Sequence, residues 1–311
     1  MSHSILVTGG CGFVGSNLIS LLDEGRVSIK VLDNLSNGTV DYLKAYPEVE
    51  IIEGDIRDFE AVKKASKGVD KIVHLAAYGS VVDSVADPAT NFEINVSGTV
   101  NVLRAAVDNQ IEKLVFSSTG GALIGNVEPP VSEESLPRPI SPYGSSKLCG
   151  EAYCGAFSSS YGISVVVLRF ANVYGPNSSH KKGVFNKFAQ RTMLGGPLTI
   201  FGDGTSTRDY INVSDLCRGI SLGLEHDNQG CEVFHIATGN ETSLMELAEL
   251  FLAQEGLDKS AISFEKTRVG EVERNFASYE KAKSVLGFEP KIGLADGVRD
   301  TYTYLKECYS N

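Results

Sequence analysis

Short apolar runs alternate with segments of helical periodicity through the first 175 residues of this 311-residue chain. The apolar runs predict strands at residues 4–8, 27–33, 49–53, 70–76, 113–117 and 164–169. The segments between them predict helices at residues 13–24, 58–66, 91–109 and 143–161. Apolar strands separated by helices are typical of a parallel sheet covered on both faces. The predicted fold class is therefore α/β, with a doubly wound parallel sheet.

The regular alternation stops in the second half of the chain. Glycine and proline interrupt it at 195–197 and 201–204, and only short strands and helices fit between them. Further helices are predicted at residues 243–254, 278–286 and 293–307. We expect a first domain of residues 1–175, to which about 205–240 return, and a smaller mixed α/β lobe over residues 176–311. This lobe is expected to cover part of the carboxyl side of the sheet.

A glycine-rich turn follows the first predicted strand. Gly9, Gly12 and Gly15 have the spacing G-x-x-G-x-x-G and stand between that strand and the first predicted helix. Gly9 permits the tight turn, Gly12 lets backbone N–H groups approach a pyrophosphate, and Gly15 lets the helix pack on the sheet. In this context the loop predicts a Rossmann-type dinucleotide-binding unit.

The second predicted strand ends in Asp33. Its distance from the glycine loop is that at which an acid binds the adenosine ribose. The residues that follow, Asn34-Leu-Ser-Asn37, include no arginine or lysine that would accept a 2′-phosphate. The sequence therefore predicts NAD, rather than NADP, as the cofactor.

Tyr143 and Lys147 are four residues apart, so they share one face of the predicted helix 143–161. An ammonium beside a phenol favours the phenolate and lowers a pKa that is ordinarily about 10. We therefore expect Tyr143 to exchange protons at neutral pH. An exposed helical tyrosine and lysine without function is the alternative, because this spacing often arises by chance. The glycine loop upstream favours the catalytic interpretation.

Composition and charge restrict the class of partner. A net charge of −11 argues against a nucleic-acid surface, which needs clustered lysine and arginine. No apolar stretch has the length of a membrane span, and the N-terminus lacks a leader pattern, so we expect a cytoplasmic enzyme without a membrane partner. The 6 cysteines have neither CxxC pairing nor metal-ligand spacing. We expect reduced, mostly buried thiols and no metal site.

Six motifs run in order along the chain. They are Thr8-Gly-Gly-x-Gly-Phe-Val-Gly15, Asp33-Asn34, Gly54-Asp-Ile-Arg57, His74-Leu-Ala-Ala77, Tyr143-x-x-x-Lys147 and Arg208-Asp-Tyr210. Their order and spacing resemble the extended short-chain dehydrogenase/reductase superfamily, and within it the nucleotide-sugar 4-epimerases of the UDP-galactose 4-epimerase kind. The likeness runs nearly end to end. It implies bound NAD, a UDP-sugar substrate and inversion at C4 through a transient 4-keto sugar.

The resemblance also implies roles for matching positions. The catalytic residues would be Thr119, Tyr143 and Lys147. The cofactor-binding residues would be Gly9, Gly12, Phe13, Val14, Gly15, Asp33, Asn34, Ser36, Asn37, Gly38, Asp55, Ile56, Leu75, Ala76, Ala77, Asn95, Ser117, Tyr143, Lys147 and Phe170. The substrate-binding residues would be Ser80, Thr119, Asn172, Val184, Thr199, Phe201, Arg208, Arg268, Glu271 and Asn275.

Simpler interpretations stay open for some of these positions. Arg268 and Glu271 also fit a surface pair at i,i+3 spacing, and Thr119 an ordinary hydroxyl at a strand end. The segment from Thr199 to Phe201 also fits plain strand core.

Departures from the family pattern restrict which reaction and which sugar substrates we expect. A related dehydratase would carry an Asp-Glu pair after the catalytic threonine, whereas Gly120-Gly-Ala-Leu-Ile124 follows Thr119. Ile124 stands where many relatives have a tyrosine. Asn275 aligns with the position that limits the room around the C2 substituent of the sugar, and it is smaller than tyrosine and offers amide hydrogen bonds. We therefore expect UDP-GlcNAc and UDP-GalNAc as substrates, with UDP-glucose and UDP-galactose as further possibilities.

Other functions share the same cofactor residues. A net oxidoreductase or a decarboxylase would consume free NAD, and a UDP-uronate 4-epimerase would need a further cation near C6. A non-catalytic NAD-binding protein would not need Thr119, Tyr143 and Lys147.

Quaternary structure is also implied by the resemblance. The family commonly dimerises through the helices equivalent to 91–109 and 143–161. The residues Val96, Val100, Leu103 and Val107 recur at helical spacing, although part of this stripe must cover the sheet. We expect a homodimer.

Overall fold

The computed structural model of the chain describes residues 4–23, 27–266 and 272–310. Its strands are β1 Ser4–Thr8, β2 Ser28–Asp33, β3 Glu50–Glu53, β4 Lys71–His74, β5 Lys113–Thr119, β6 Ser164–Phe170, β7 Asn172–Tyr174, β8 Leu198–Phe201, β9 Thr207–Arg208, β10 Tyr210–Asn212, β11 Cys231–Ile236, β12 Thr242–Ser243, β13 Ile262–Glu265 and β14 Arg274–Asn275. Its helices are α1 Phe13–Asp23, α2 Phe59–Ala65, α3 Val81–Ala86, α4 Pro88–Phe92, α5 Gly98–Asp108, α6 Gly121–Ile124, α7 Pro142–Tyr161, α8 Val184–Met193, α9 Val213–Glu225, α10 Leu244–Leu252 and α11 Leu294–Ser310.

Seven of these strands form one sheet in the order β11-β6-β5-β4-β1-β2-β3, and every neighbouring pair is parallel. The chain moves outward from β1 to β3 and then crosses to β4 on the other side of β1. The carboxyl ends of β1 and β4 therefore bound the crevice in which open α/β sheets bind ligands. The predicted fold class is confirmed.

Helices cover both faces of this sheet. On one face, α1 and α9 pack through residues such as Leu18, Ile19 and Ile220, which belong to one buried apolar cluster. On the other face, α2, α5 and α7 contribute Val62, Leu103 and other residues to a second cluster. The central strands β1, β4, β5 and β6 are buried almost throughout, so their sequences are mainly apolar runs rather than alternating patterns.

A third apolar cluster lies apart from the sheet. It joins α8, α10 and α11 through residues that include Phe185, Phe251 and Tyr302. The short strands β8 and β13 pair in parallel, and β9 pairs with both β12 and β14. The predicted division into a cofactor domain and a smaller lobe at residue 175 stays a prediction.

Two predicted helices differ from the observed ones. The helix predicted at 91–109 begins at Pro88, where the side chain of Asp87 caps the first turn, and it contains a π-helical turn at Glu93–Ser97. Of the helix predicted at 278–286, the structure has the π-helical turn Ala282–Leu286. The propensity pattern reports helical periodicity but not these local changes in pitch. No helix within the described ranges has both the length and the apolar character needed to cross a membrane.

Candidate active site

The glycine loop joins β1 to α1 at the carboxyl edge of the sheet. Gly9 has a φ of 73°, in the left-handed region that favours glycine. A Cβ added to Gly15 would overlap the backbone oxygen of Gly9 and lie 2.6 Å from the Cα of Gly10. The loop can therefore keep this close approach only without side chains, which leaves a backbone cradle of the kind that holds a pyrophosphate. The residues present fit a dinucleotide.

Asp33 and the segment after it fold over this loop. The Asp33 carboxylate accepts hydrogen bonds from the backbone N–H groups of Cys11, at 3.0 Å, and Leu35, at 2.8 Å. The carbonyl of Cys11 accepts a bond from the N–H of Thr39. Both backbone groups of Cys11 are therefore used to attach this segment to the loop. The predicted cofactor residues Asn34, Ser36 and Asn37 stand exposed at its rim.

Asp55 lies beside Asn34 and forms an ion pair with Arg57. Arg57 is not among the site residues that the sequence predicts. The Arg57 guanidinium donates to both carboxylate oxygens of Asp55, at 3.0 and 2.8 Å. Asn34 Nδ2 adds a bond of 2.9 Å. These hydrogen bonds lower the pKa of Asp55 to about 2, so the group is an anion at neutral pH. Ile56, which the resemblance implies as a cofactor-binding residue together with Asp55, is buried.

Asn95 connects the segment after β4 to α7, the helix that carries Tyr143 and Lys147. It lies in the π-helical turn and is 2 % exposed. Its Oδ1 accepts a bond from the Tyr78 N–H at 2.7 Å, and its Nδ2 donates to Ser146 Oγ at 3.0 Å. Ser146 immediately precedes Lys147, so one buried amide links the residues after β4 to α7. Leu75, Ala76 and Ala77 lie in this linked segment, half-buried.

Lys147 and Tyr143 lie one turn apart near the start of α7. Lys147 is 4 % exposed, and its Nζ donates to the carbonyl of Ser117 at 2.8 Å. Burial lowers the pKa of Lys147 to about 8. The sequence predicts a lowered pKa for Tyr143, but in the protein alone burial raises the pKa of Tyr143 to about 12. The expectation was wrong for the protein alone because burial desolvates the phenolate and so disfavours the charged form.

A pH-dependent stability follows from Lys147. Its folded pKa of about 8 is below the ordinary 10.5, so between these values the unfolded chain binds more protons than the folded chain. Stability contributed by this site is therefore lowest below pH 8 and rises as the pH approaches 10.5. We expect wild type to gain on the order of 3 kcal/mol relative to Lys147→Met across this window. Urea unfolding of both proteins at several pH values measures the difference, and a constant difference would contradict the buried ammonium.

Thr119 ends β5, and the short helix α6 after it packs tightly on α7. A Cβ added to Gly144, next to Tyr143, would overlap the backbone oxygen of Ala122 and lie 2.7 Å from its carbonyl carbon. Thr119 is half-buried and pairs in register with Phe170 of β6. The contact between Gly144 and Ala122 therefore brings the predicted base close to the segment that carries Thr119.

Gly144→Ala is expected to lower kcat and to destabilise the protein by about 1–3 kcal/mol, because α7 must move away from Ala122. Gly155→Ala on the same helix is the matched control, since no atom lies within 4 Å of the added Cβ. The control is expected to keep its activity and to gain about 0.5–1 kcal/mol. Thermal unfolding and steady-state assays test the pair, and equal behaviour of the two variants would refute the packing argument.

Two of the predicted substrate-binding residues, Arg208 and Asn172, both lie next to Asp209. Asp209 is 1 % exposed and accepts bonds from the N–H groups of Thr238 and Gly239. Its backbone carbonyl accepts from both the N–H and the Nδ2 of Asn172. The Arg208 guanidinium donates to the carbonyl of Thr207 and forms no salt bridge with any acid in the described ranges. Arg208 is therefore a half-buried cation whose backbone position is fixed by the hydrogen bonds of the adjacent Asp209.

Asn275 lies directly beside Arg208, because β14 pairs with β9 and sets Asn275 opposite Arg208. The Asn275 side chain is 4 % exposed, and its Oδ1 would stand 2.9 Å from a Cβ on Gly121. Its Nδ2 is buried without a hydrogen-bond partner among the described residues. The predicted sugar-sensing residue is therefore next to the loop that follows Thr119, with one amide donor unused.

The remaining predicted substrate residues are more dispersed. Ser80 caps α3, and Val184 opens α8. Thr199 and Phe201 alternate with the buried Ile200 along β8, so both are on the less buried side of that strand. Arg268 and Glu271 lie outside the described residues.

Sequence reasoning did not select Glu151 and Arg169. Glu151 is four residues after Lys147 on α7, and Arg169 is a single charged residue in the apolar run of β6. These two signals were sufficient to predict that both residues point into the protein near the site. The side chains do form a buried ion pair there, with a distance of 2.7 Å.

Comparison with known proteins adds to this geometry. Residues 5–237 match the NAD dependent epimerase/dehydratase family. The structure superposes on the UDP-glucose 4-epimerase of Thermotoga maritima, solved with UDP-glucose, with a TM-score of 0.93 and 38% identity over 98% of this chain and 99% of that one. It superposes on the dTDP-glucose 4,6-dehydratase DesIV of Streptomyces venezuelae, solved with NAD, with a TM-score of 0.93 and 33% identity over 99% and 98%.

A further structure is similar at lower identity. The UDP-N-acetylglucosamine 4-epimerase of Methanobrevibacter ruminantium, solved with UDP-N-acetylmuramic acid, has a TM-score of 0.92 and 29% identity over 99% of this chain and 100% of that one. These proteins share the whole length of the chain, not only its glycine loop. The chain therefore belongs to the NAD-dependent epimerase/dehydratase family of the extended short-chain dehydrogenases/reductases, and NAD is its cofactor.

Proposed function

We propose that this protein interconverts the C4 epimers of a UDP-hexose, with UDP-GlcNAc and UDP-GalNAc as substrates and UDP-glucose and UDP-galactose as further ones. The observation that carries the proposal is the bond from Lys147 to the carbonyl of Ser117, which attaches the helix turn of Tyr143 and Lys147 to β5 two residues before Thr119. This end of β5 is two strands from the glycine loop. A base, a cation and a hydroxyl at this edge are what oxidation of a secondary alcohol needs.

The proposed reaction uses Tyr143 as the base. Tyr143 removes the proton of the C4 hydroxyl as the C4–H bond breaks, and Thr119 orients that hydroxyl. Bound NAD supplies the acceptor for the hydride and then its donor. After the 4-keto sugar rotates, Tyr143 returns the proton to the oxygen while the opposite face of C4 is reduced. Lys147 stabilises the phenolate, which burial alone disfavours.

The loop after Thr119 favours epimerisation over dehydration. Loss of water from C5 and C6 needs an acid and a base near C6. The residues Gly120 to Ile124 provide neither group, since they are glycine, alanine, leucine and isoleucine. The 4-keto sugar is therefore reduced again at C4 rather than dehydrated.

Arg208 is proposed to bind the diphosphate together with Arg268, while Glu271 binds the ribose. The guanidinium of Arg208 has no carboxylate partner among the described residues, and Asn172 is bonded to the carbonyl of the adjacent Asp209. Bidentate guanidinium groups match the geometry of phosphate oxygens. This arrangement supports a nucleoside diphosphate as the carrier of the sugar.

The sugar preference is proposed to depend on Asn275. Its unused Nδ2 and its place beside Gly121 support recognition of an acetamido oxygen at C2. Asn275→Tyr is expected to lower kcat/KM for UDP-GlcNAc by about tenfold to a hundredfold, with a smaller effect on UDP-glucose, because the larger ring fills the C2 space. The ratio of the two kcat/KM values measures the change. An unchanged ratio would remove the basis of the sugar assignment.

The reaction itself is tested with purified protein and no added NAD. UDP-glucose, UDP-GlcNAc and UDP-glucuronate are incubated separately, and the sugar C4 proton is followed by NMR. The proposal expects C4 inversion of UDP-GlcNAc without net formation of NADH. A 4-keto-6-deoxy sugar, a decarboxylated sugar or inversion of the uronate alone would each identify another reaction of the superfamily.

A homodimer is also proposed. The exposed apolar residues Val82, Val85 and Phe92 on α3 and α4, with Tyr153 on α7, form a surface that a second copy would cover. Of the predicted stripe, Val96 and Leu103 are buried within the subunit, and Val100 and Val107 are half-buried. Light scattering on the eluting protein tests the dimer.

A further inference from the structure

A buried ion pair lies directly behind the catalytic lysine. Glu151 is one helical turn after Lys147 on α7, and both side chains face β5. Lys147 Nζ donates to the carbonyl of Ser117, and Glu151 Oε1 accepts from Ser118 Oγ at 2.5 Å. Two consecutive residues of β5 are thus attached to α7 immediately before Thr119.

Arg169 attaches β6 to the same point. Its Nε donates to Glu151 Oε1 at 2.9 Å, and one Nη donates to Oε2 at 2.7 Å. In the β5–β6 register, Ser118 stands opposite Arg169 and Thr119 opposite Phe170. The pair therefore joins three elements that carry predicted catalytic or cofactor residues: α7, β5 and β6.

Stability is a poor explanation for this pair. The two side chains are 6% and 8% exposed, so both charges are removed from water. Arg169 Nη1 is buried without a hydrogen-bond partner in the described part of the chain, which adds a further cost. Well-packed apolar residues in place of such a pair are often as stable or more stable. The two parallel hydrogen bonds of the pair instead fix the orientation of the Glu151 and Arg169 side chains relative to each other, which apolar packing does not do.

We propose that Glu151 and Arg169 are positioning residues that hold Lys147 and Thr119 at the separation needed for hydride transfer. The proposal rests on the catalytic function proposed above for Lys147 and Thr119. Neither Glu151 nor Arg169 contacts the substrate in this proposal. Their effect passes through α7 and the end of β5, so they affect the chemical step rather than binding.

Glu151 also sets the charge around Lys147. Among the described residues, the titratable groups that interact electrostatically with Lys147 are Cys154 and Glu151 on α7 and His74 on β4, and Tyr143 lies one turn before it. Burial keeps His74 neutral, with a pKa lowered to about 3, and it raises the pKa of both Tyr143 and Cys154. The Glu151 carboxylate raises the pKa of Lys147 and so opposes the effect of burial. Its removal would leave the Arg169 charge uncompensated and lower the Lys147 pKa further.

The test compares Glu151→Gln, Arg169→Met and the apolar double variant Glu151→Met/Arg169→Met in the NAD-loaded protein. Each single variant is expected to lose at least about tenfold in kcat. KM and bound NAD should stay within about twofold of wild type, since no binding contact is removed. The double variant is expected to recover thermal stability while kcat stays low. Recovery of kcat together with stability would reduce the pair to a structural role and overturn the proposal.

A control and a second measurement separate this proposal from the proposed function. Asp215→Asn removes the charge of the buried Asp215, which pairs with the partly exposed Arg218 on α9, and is expected to lower stability while keeping kcat. Lys147 is also titrated by NMR of lysine-labelled protein, with Lys147→Met to assign its signal. Glu151→Gln should lower the Lys147 pKa, and an unshifted titration contradicts the proposal even without an assay. If wild type epimerises no UDP-sugar, the proposed function fails, and this titration alone decides whether Glu151 acts on Lys147.

Discussion

Tyr143→Phe is expected to lower kcat about 100- to 10,000-fold while the protein still binds NAD and UDP-sugar. The phenylalanine ring preserves the packing of α7 but cannot accept the C4 hydroxyl proton. The loss should be in kcat rather than KM, because the phenol acts in the transition state and not in ground-state binding. Steady-state assays with UDP-GlcNAc and quantification of bound NAD measure both effects.

The same helix supplies a control for this substitution. Tyr161 ends α7 and is 61% exposed, so Tyr161→Phe removes a phenol without affecting the site. Its kcat should equal that of wild type. Near wild-type epimerisation by Tyr143→Phe with NAD bound would assign the base to another group, and the proposed mechanism would be abandoned.

Gly15→Ala is expected to abolish the copurification of NAD and to destabilise the protein by about 1–3 kcal/mol. The added Cβ would overlap the backbone of Gly9 and Gly10, and backbone atoms cannot move aside as a flexible side chain can. The start of α1 must therefore shift away from β1, and the cradle for the pyrophosphate widens. NAD released on denaturation, together with urea unfolding of the protein freed of cofactor, measures both losses.

Gly12→Ala gives a graded comparison within the same loop. Its Cβ would stand 3.2 Å from the oxygen of Gly9, a contact that a small shift relieves. The cofactor-free Gly12→Ala protein should unfold close to wild type, whereas Gly15→Ala should not. If the two cofactor-free variants unfold alike, the close approach of Gly15 does not determine the shape of the loop.

The parallel sheet and the cofactor-binding residues at its carboxyl edge could be predicted because the sequence patterns that indicate them are local. The apolar run at 4–8, the glycines after it and Asp33 each express a constraint that spans a few residues of chain. Tyr143 and Lys147 are likewise related by one helical turn. The family resemblance extended the prediction to positions such as Asn95. The structure shows that Asn95 donates a hydrogen bond to Ser146.

Other features depend on contacts between distant segments, which periodicity does not report. The pairing of β14 with β9, which sets Asn275 opposite Arg208, joins residues 67 positions apart (275 − 208). The raised pKa of Tyr143 depends on burial from several elements, so the lysine at i+4 alone predicts the wrong direction. The positions of Glu151 and Arg169 in the sequence indicate that each points inward, but the ion pair between them joins α7 to β6 and is visible only in the structure.

The small sheet of β12, β9 and β14 has a consequence for engineering. It carries Arg208 and Asn275 side by side, yet none of its strands belongs to the seven-stranded sheet. The segment that supplies β14 can therefore be exchanged between homologues as a cassette, provided that the contacts of Asn275 and Ala277 with α6 are kept. Libraries confined to residues 272–278, whose last residues Phe276 and Ser278 bond to Val131, would then vary the sugar site while the cofactor site stays unchanged.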